Sequence, residues 1–234
     1  MQLKEIKKLS LKRIGIFFNR YLKKNLRLRK IKKLNIQYIS PDFLYFSEVP
    51  KDAVVVDVGC GFQAEFSTHM MTEFGIRCYG VDPTRKHFIH LKEIQYSFEQ
   101  FTHLPFAVSS KKGEILFYES LNNESGSILD SHINVREGLT TKYNVKTLTL
   151  RALKKRIGAD EISILKLDLE GAEYELFKNL TQEDLDGYKQ IFVEFHHHCV
   201  KKYKQEDTEE SVKKMTDFGY KSFSLDDLNY LFYL

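Results

Sequence analysis

Residues 53–59 read AVVVDVG, a β-branched run with no polar interruption before Asp57. A strand that is apolar on successive residues is buried on both faces, and both-face burial is the mark of a parallel sheet held between helices. This one stretch therefore demands covering helices, and the rest of the chain supplies them in alternation. A helix is expected from about Ala64 to Phe74, closed by Gly75; CYGVDP (78–83) is a second strand, and residues 84–99 form another helix. Further on come a helix near 148–157, the strand SILKLDL (163–169), a helix at 172–179 and the strand QIFVEF (190–195). A helix over 207–218 follows, capped by Asp207 with Glu210 and ended by Gly219. GYKSFSL and NYLFYL, joined by Asp226-Asp227, add an antiparallel hairpin at the C-terminal edge.

The expected architecture is α/β, with seven strands, mostly parallel, and right-handed crossovers. Two segments fall outside the alternation. LPFAVSS (104–110) and EILFYES (114–120) flank Lys111-Lys112-Gly113 and read as a hairpin; residues 121–144, polar and rich in Asn, Ser and Gly, read as a mobile loop over a site.

The chain has 234 residues, enough for one domain and an appendage. Its net charge of +4 conceals an asymmetry. Residues 1–34 hold thirteen Lys/Arg against the single acid Glu5, while the remaining 200 residues carry 23 basic and 31 acidic side chains. The chain divides into a basic helical extension over 1–44 and a domain over 45–234. In the extension, Ile6, Leu9, Ile14, Phe17, Phe18, Tyr21, Leu22, Leu26 and Leu28 follow a helical spacing with a basic opposite face. Two readings stay open for residues 1–34: helices packed on the domain with lysines in water, or a surface resting on anionic lipid or a lipid-linked substrate. A nucleic-acid contact is not expected, because no recognition motif interleaving aromatic and basic residues follows.

No segment approaches 18 uncharged apolar residues, and the N-terminus lacks the apolar region and cleavage site of a secretory signal. Cys60, Cys78 and Cys199 are odd in number and lack metal-type spacing, so they read as thiols in the reducing cytoplasm.

Ligands of such sheets bind beyond the carboxyl ends of the strands, where strand order reverses. The first strand delivers Asp57, then Gly59, Cys60, Gly61 and Gln63 in the turn that opens a helix; the second ends in Asp82-Pro83. Asp82 is placed to accept hydrogen bonds from both hydroxyls of a ribose. Gly59 to Ala64 also fits G-x-G-x-x-A, the dinucleotide fingerprint. Asp57, two residues before the first glycine, would repel a pyrophosphate and attract a sulfonium, so the pattern favours S-adenosylmethionine over NAD.

Asp168, Glu170, Glu173 and Glu175 crowd the end of the strand 163–169. Alternation sets Lys166, Asp168 and Glu170 on one side, and Asp168 and Glu170 emerge at the carboxyl end beside the donor. Glu173 and Glu175 fall in the first turns of a helix, where negative charge is favoured by the dipole. The next strand ends in Glu194, Phe195 and three histidines, 196–198. Transfer to an alcohol needs a general base or a metal. His196 is the expected base, with Glu194, on the same face, orienting it. Asp168 and Glu194 end neighbouring strands and could hold a divalent metal, but no third ligand is evident, so a metal is possible and not favoured. A zinc site in His-His-His-Cys is disfavoured, since adjacent strand residues point to opposite faces.

VVVDVGCG, GVDP, AVSSKKGE, V-x-T-L at 145–148, LKLDLEGAEYELF and IFVEFH together resemble the FkbM family of S-adenosylmethionine-dependent methyltransferases, over about residues 45–200. The K-x-D-x-EGAE element is the most specific part. The turn departs from the family's usual G-A-N-x-G, and Asp82-Pro83 stands where Glu-Pro is commoner. The resemblance implies a class I methyltransferase, Rossmann-like fold and methylation of a hydroxyl oxygen on a sugar or natural product. The candidate catalytic residues are Asp168, Glu170, Glu194 and His196. The candidate cofactor residues are Asp57, Gly59, Cys60, Gly61, Gln63, Asp82, Pro83 and Asp168. Methylation of a nucleobase amine is disfavoured: Leu-Glu-Gly follows Asp168 where such enzymes carry Asp/Asn-Pro-Pro-Tyr/Phe. An NAD-linked oxidoreductase and a non-catalytic adaptor are the alternatives.

Overall fold

The computed structural model describes residues 25–39, 43–136 and 139–234. Most of the basic amphipathic arm, residues 1–24, lies outside the described residues. In chain order the elements are α1 (25–34), β1 (Ile36–Ile39), β2 (Phe43–Phe46), β3 (Val54–Val58), α2 (Glu65–Phe74), β4 (Arg77–Val81), α3 (Phe88–Ser97), β5 (Phe101–Leu104), β6 (Ala107–Val108) and β7 (Gly113–Ser120). They continue with β8 (Gly126–Ser127), α4 (Ile133–Arg136), β9 (Thr140–Leu148), α5 (Leu150–Ile157), β10 (Ile162–Asp168), α6 (Glu173–Asn179), β11 (Tyr188–Glu194), α7 (Gln205–Asp217), β12 (Lys221–Ser224) and β13 (Asn229–Tyr233).

Seven strands form one mixed sheet in the order β12-β13-β11-β10-β3-β4-β5. The five from β11 to β5 are mutually parallel; β13 runs antiparallel to both β11 and β12. Strand order reverses between β3 and β10, the place where open α/β sheets take their ligands.

The apolar run at 53–59 is buried on both faces. Val54, Val56 and Val58 join Leu165, Leu167, Leu153, Phe177 and Met215 in one cluster, so α5, α6 and α7 cover that side. Val55 and Ile164 face the other way, against Phe66, Met70 and Leu91 of α2 and α3. Burying side chains of this size stabilises the fold by about 1.5–3 kcal/mol each. The rest of that second face lies under α1, β1 and β2, where Ile31, Ile36 and Leu44 pack on Phe192, Phe223 and Leu231. Arg27 fastens α1 to the β12–β13 turn through the Leu225 carbonyl at 2.6 Å and the Asp227 carboxylate at 2.5 Å. Among the described residues, no helix is long and apolar enough to cross a membrane.

Three local expectations are corrected. Residues 104–110 and 114–120 do not pair as a hairpin. Leu104 completes β5 in the main sheet, and β9 inserts between β6 and β7 in a second, four-stranded sheet of order β6-β9-β7-β8. The Lys-Lys-Gly turn signal is local, whereas β7 and β9 match over eight residues and bury Phe117 against Tyr143 and Val145. The stretch 121–144 is accordingly not one loop: β8, α4 and the start of β9 lie within it. The cap of α7 also differs, since Asp207 accepts from the Lys204 backbone N–H at 2.7 Å instead of pairing with Glu210.

Candidate active site

The tips of β3, β4 and β10 meet at a cavity of about 230 Å³, roofed by Phe117 of β7 and by Gly126 and Ser127 of β8. Gly59 follows β3 at φ 70°, and a Cβ there would lie 1.9 Å from the Asp168 carbonyl oxygen. Only glycine lets the two strand ends approach so closely. The turn is tied to the next strand: Gly61 N–H donates to Asp82 Oδ2 at 2.9 Å, and Thr84 N–H donates to Oδ1 at 2.8 Å. Asp82 Oδ2 also meets His87 Nδ1 at 3.2 Å, while His87 Nε2 lies 3.1 Å from Glu124. Burial pushes the Asp82 carboxyl up, but the hydrogen bonds from His87 and Thr84 outweigh it and hold it below the usual range.

Of the residues expected to hold a cofactor, Gly59, Gly61, Asp82, Pro83 and Asp168 line the cavity, joined by Glu170. Asp57, Cys60 and Gln63 are not on its wall. Asp57 is fully buried beneath α2, where Oδ2 accepts from the Ser67 hydroxyl at 2.9 Å and backbone N–H at 3.2 Å. Its Oδ1 lies 3.2 Å from the ammonium of Lys166, its register partner on β10. The expectation that Asp57 attracts a sulfonium directly is therefore corrected: alternation turns it to the helix-covered face, and its charge is met by Lys166. Cys60 packs in the α2 core, its thiol pushed well up by burial, and Gln63 is exposed.

Beyond the cavity floor, Asp168 and Glu194 are register partners at the tips of β10 and β11. His196 follows, with Nε2 at 3.6 Å from Asp168, 3.7 Å from Glu170 and 3.8 Å from Glu194. Its Nδ1 is held by Glu173 at 2.9 Å, so Glu173 orients this ring rather than Glu194. Burial pushes the His196 imidazole down, but the carboxylates of Glu173, Asp168 and Glu170 outweigh it and hold it well above its ordinary value. His196 thus stands among the acids at the strand tips, as the sequence placed it, but its Nδ1 partner is Glu173 and not Glu194. Burial raises Asp168; burial and then the charge of Asp168 push Glu194 up to about 7. Glu170 is raised by burial but lowered further by His132 and His196, ending below its ordinary range. It sits at φ 50° with its carboxylate 2.8 Å from His132 Nε2. A non-glycine residue in that region carries strain, which is maintained where a site needs it.

Lys166, Glu173, His132 and His87 were not singled out by the sequence as site residues. Lys166 had a signal, a cation inside a strand buried on both faces. Glu173 was concealed by an ordinary alternative, acid at a helix start, and His132 and His87 lie on segments remote in sequence.

A family model described as "Methyltransferase FkbM domain" matches residues 57–222. No curated protein matches the chain. Among solved structures, the fibrillarin pre-rRNA processing protein of Methanococcus jannaschii superposes with a TM-score of 0.47 at 8% identity, covering 85% of this chain and 69% of that one. The Aeropyrum pernix fibrillarin with natively bound S-adenosyl-L-methionine gives 0.42 at 12% identity, covering 79% and 66%. A precorrin-6y C5,15-methyltransferase of Geobacter metallireducens gives 0.41 at 10%, covering 79% and 80%.

Proposed function

The chain belongs to the FkbM methyltransferase family, and from that premise we propose that it is an S-adenosylmethionine-dependent O-methyltransferase acting on a hydroxyl of a sugar, in a glycan or glycolipid. One observation carries the reading: Gly59, Gly61 and Asp82 from one side and Asp168 and Glu170 from the other line a single cavity at the sheet's switch point. The glycines leave backbone open to a nucleoside-bearing ligand, and Asp82 offers a carboxylate for hydroxyl groups. Asp168 Oδ1 is buried without a hydrogen-bond partner, so the floor of the cavity carries negative charge that a cationic donor would meet.

When bound beside Gly59, Gly61, Asp82 and Asp168, S-adenosylmethionine would supply an electrophilic methyl group for an acceptor oxygen. The protein's part is to position the two reactants and to take the hydroxyl proton. Asp168 and Glu170 face the cavity, and Asp168, whose carboxyl burial raises, is the one suited to take that proton. Ser127 hydroxyl donates to the Glu170 carbonyl at 2.9 Å, which ties β8 to the turn that follows β10.

The basic arm supports a glycolipid acceptor at the inner face of the membrane. Its thirteen cations against one anion suit an anionic lipid surface, in a protein working in the cytoplasm. Calorimetry with S-adenosylhomocysteine and with NADH tests the donor assignment. Binding of the former alone is expected; binding of NADH alone would make the chain an oxidoreductase on the same fold.

A further inference from the structure

Counting charge beside the cavity leaves an excess that the protein does not neutralise. Lys166 is committed to Asp57, its Nζ lying 3.2 Å from Asp57 and 3.4 Å from Asp168. Four further carboxylates, Asp168, Glu170, Glu173 and Glu194, stand together, and besides Lys166, which reaches Asp168, His132 and His196 are the cationic partners they meet among the described residues. Within this group, ligand atoms of Asp168, Glu173 and His196 all lie within 4.8 Å of one another. Two oxygens here are orphans: Asp168 Oδ1 and Glu173 Oε2 are buried with no hydrogen-bond partner. Glu173 has no exposed surface, and its other oxygen already accepts from Leu169 N–H, Gly171 N–H and His196. A buried carboxylate oxygen without a partner is costly unless a cation belongs there.

We infer that Asp168, Glu173 and His196 form a binding site for one divalent cation beside the donor cavity, joined to it through Asp168. One imidazole with carboxylate oxygens suits Mn²⁺ or a similar first-row ion better than an all-oxygen Mg²⁺ cage or a thiolate zinc site. The Glu170 and Glu194 carboxylates, 3.7 and 3.8 Å from His196 Nε2, are close enough to add oxygens to its shell. The sequence showed only Asp168 and Glu194 at the strand tips; the further ligands come from α6 and from the turn after β11. Because Asp168 also lines the cavity, an acceptor hydroxyl there would lie beside the ion, whose charge makes the hydroxyl easier to deprotonate. This role rests on the proposed O-methylation; the site itself does not.

The test titrates the full-length, metal-stripped protein with Mn²⁺ alone, following loss of the free-ion signal by electron paramagnetic resonance, with S-adenosylhomocysteine binding measured in parallel. One ion per chain is expected, with affinity falling at least tenfold in Asp168→Asn and in His196→Gln, each checked for folding by circular dichroism. Glu173→Gln, which keeps an oxygen acceptor for the backbone, provides a third variant with the same expected loss. Absence of Mn²⁺ binding by the folded wild type, or binding unchanged in folded Asp168→Asn, overturns the site. If S-adenosylhomocysteine still binds in that case, the methyltransferase reading stands without the ion.

Discussion

The Lys166 ammonium and the Asp57 carboxylate lie 3.2 Å apart on neighbouring strands, each with no more than 3% of its side chain exposed. Removing one partner strands the other charge in the core, which costs about 3–5 kcal/mol. Lys166→Met should therefore lower stability by that amount, and Asp57→Asn combined with it should recover part of the loss. Chemical denaturation of the two single variants and the double variant measures this. Loss of function in Asp57→Ala would report a broken core and not a lost donor contact.

Gly59 and Gly61 both have positive φ but differ in what surrounds them. A Cβ on Gly59 collides with the Asp168 backbone, whereas one on Gly61 meets nothing within 4 Å. Gly59→Ala should fail to assemble the β3–β10 tips and give a cooperative transition far below that of the wild type. Gly61→Ala should fold with a loss of about 1–2 kcal/mol from left-handed strain. Because Gly61 lines the cavity, its affinity for S-adenosylhomocysteine should nevertheless fall, which calorimetry would detect.

Asp82 links acidity to stability. Its folded-state carboxyl titrates below the ordinary value of 3.8, so its stabilising contribution is fully present above that value and is lost as pH falls through the lower one. The stability gap between wild type and Asp82→Asn should stay constant from neutral pH to about pH 5 and close only in stronger acid. Urea denaturation across that range checks the sign. A gap already closing near neutrality would show that the carboxylate is not held by His87 and Thr84.

Two acids on the same helix should behave differently. Glu173 is fully buried and supports two backbone N–H groups of the 169–171 turn together with His196. Glu173→Leu should cost about 3 kcal/mol or more through the donors it leaves unpaired. Glu175 is exposed and bonded to Asn179, so Glu175→Ala should change stability by no more than about 0.5 kcal/mol. Melting temperatures of the two variants compare them directly.

The basic arm gives a separable prediction. Ile31 is buried against the domain, so a deletion meant to spare the fold should end before α1. Removing residues 1–24 should leave the melting transition near that of the full chain and abolish flotation with anionic liposomes at low salt. Flotation that persists, or that never occurs with the full chain, would end the membrane reading.

Much was legible from the residues themselves. The apolar run before Asp57 required a sheet covered on both faces, and the spacing of strand and helix signals supplied its order of elements. Gly59, Gly61, Asp82 and Asp168 could be assigned to one cavity because strand ends and their turns are set by local pattern and topology together. Pairings between distant segments could not be read in this way. A turn signal at Lys111–Gly113 suggested β6 against β7, but β9 entered between them because its eight-residue match with β7 buries more apolar surface.

The direction of Asp57 and the identity of His196's partner were likewise decided in three dimensions. Which face of β3 lies under α2, and how near α6 comes to the end of β11, depend on packing between elements far apart in the chain. Sequence by itself therefore determined the sheet, its switch point and the presence of acids at the strand tips. Tertiary structure alone decided which of those acids are neutralised by Lys166, which hold His196, and which remain exposed to a ligand's charge, because electrostatic interactions depend on distance and burial and not on order along the chain.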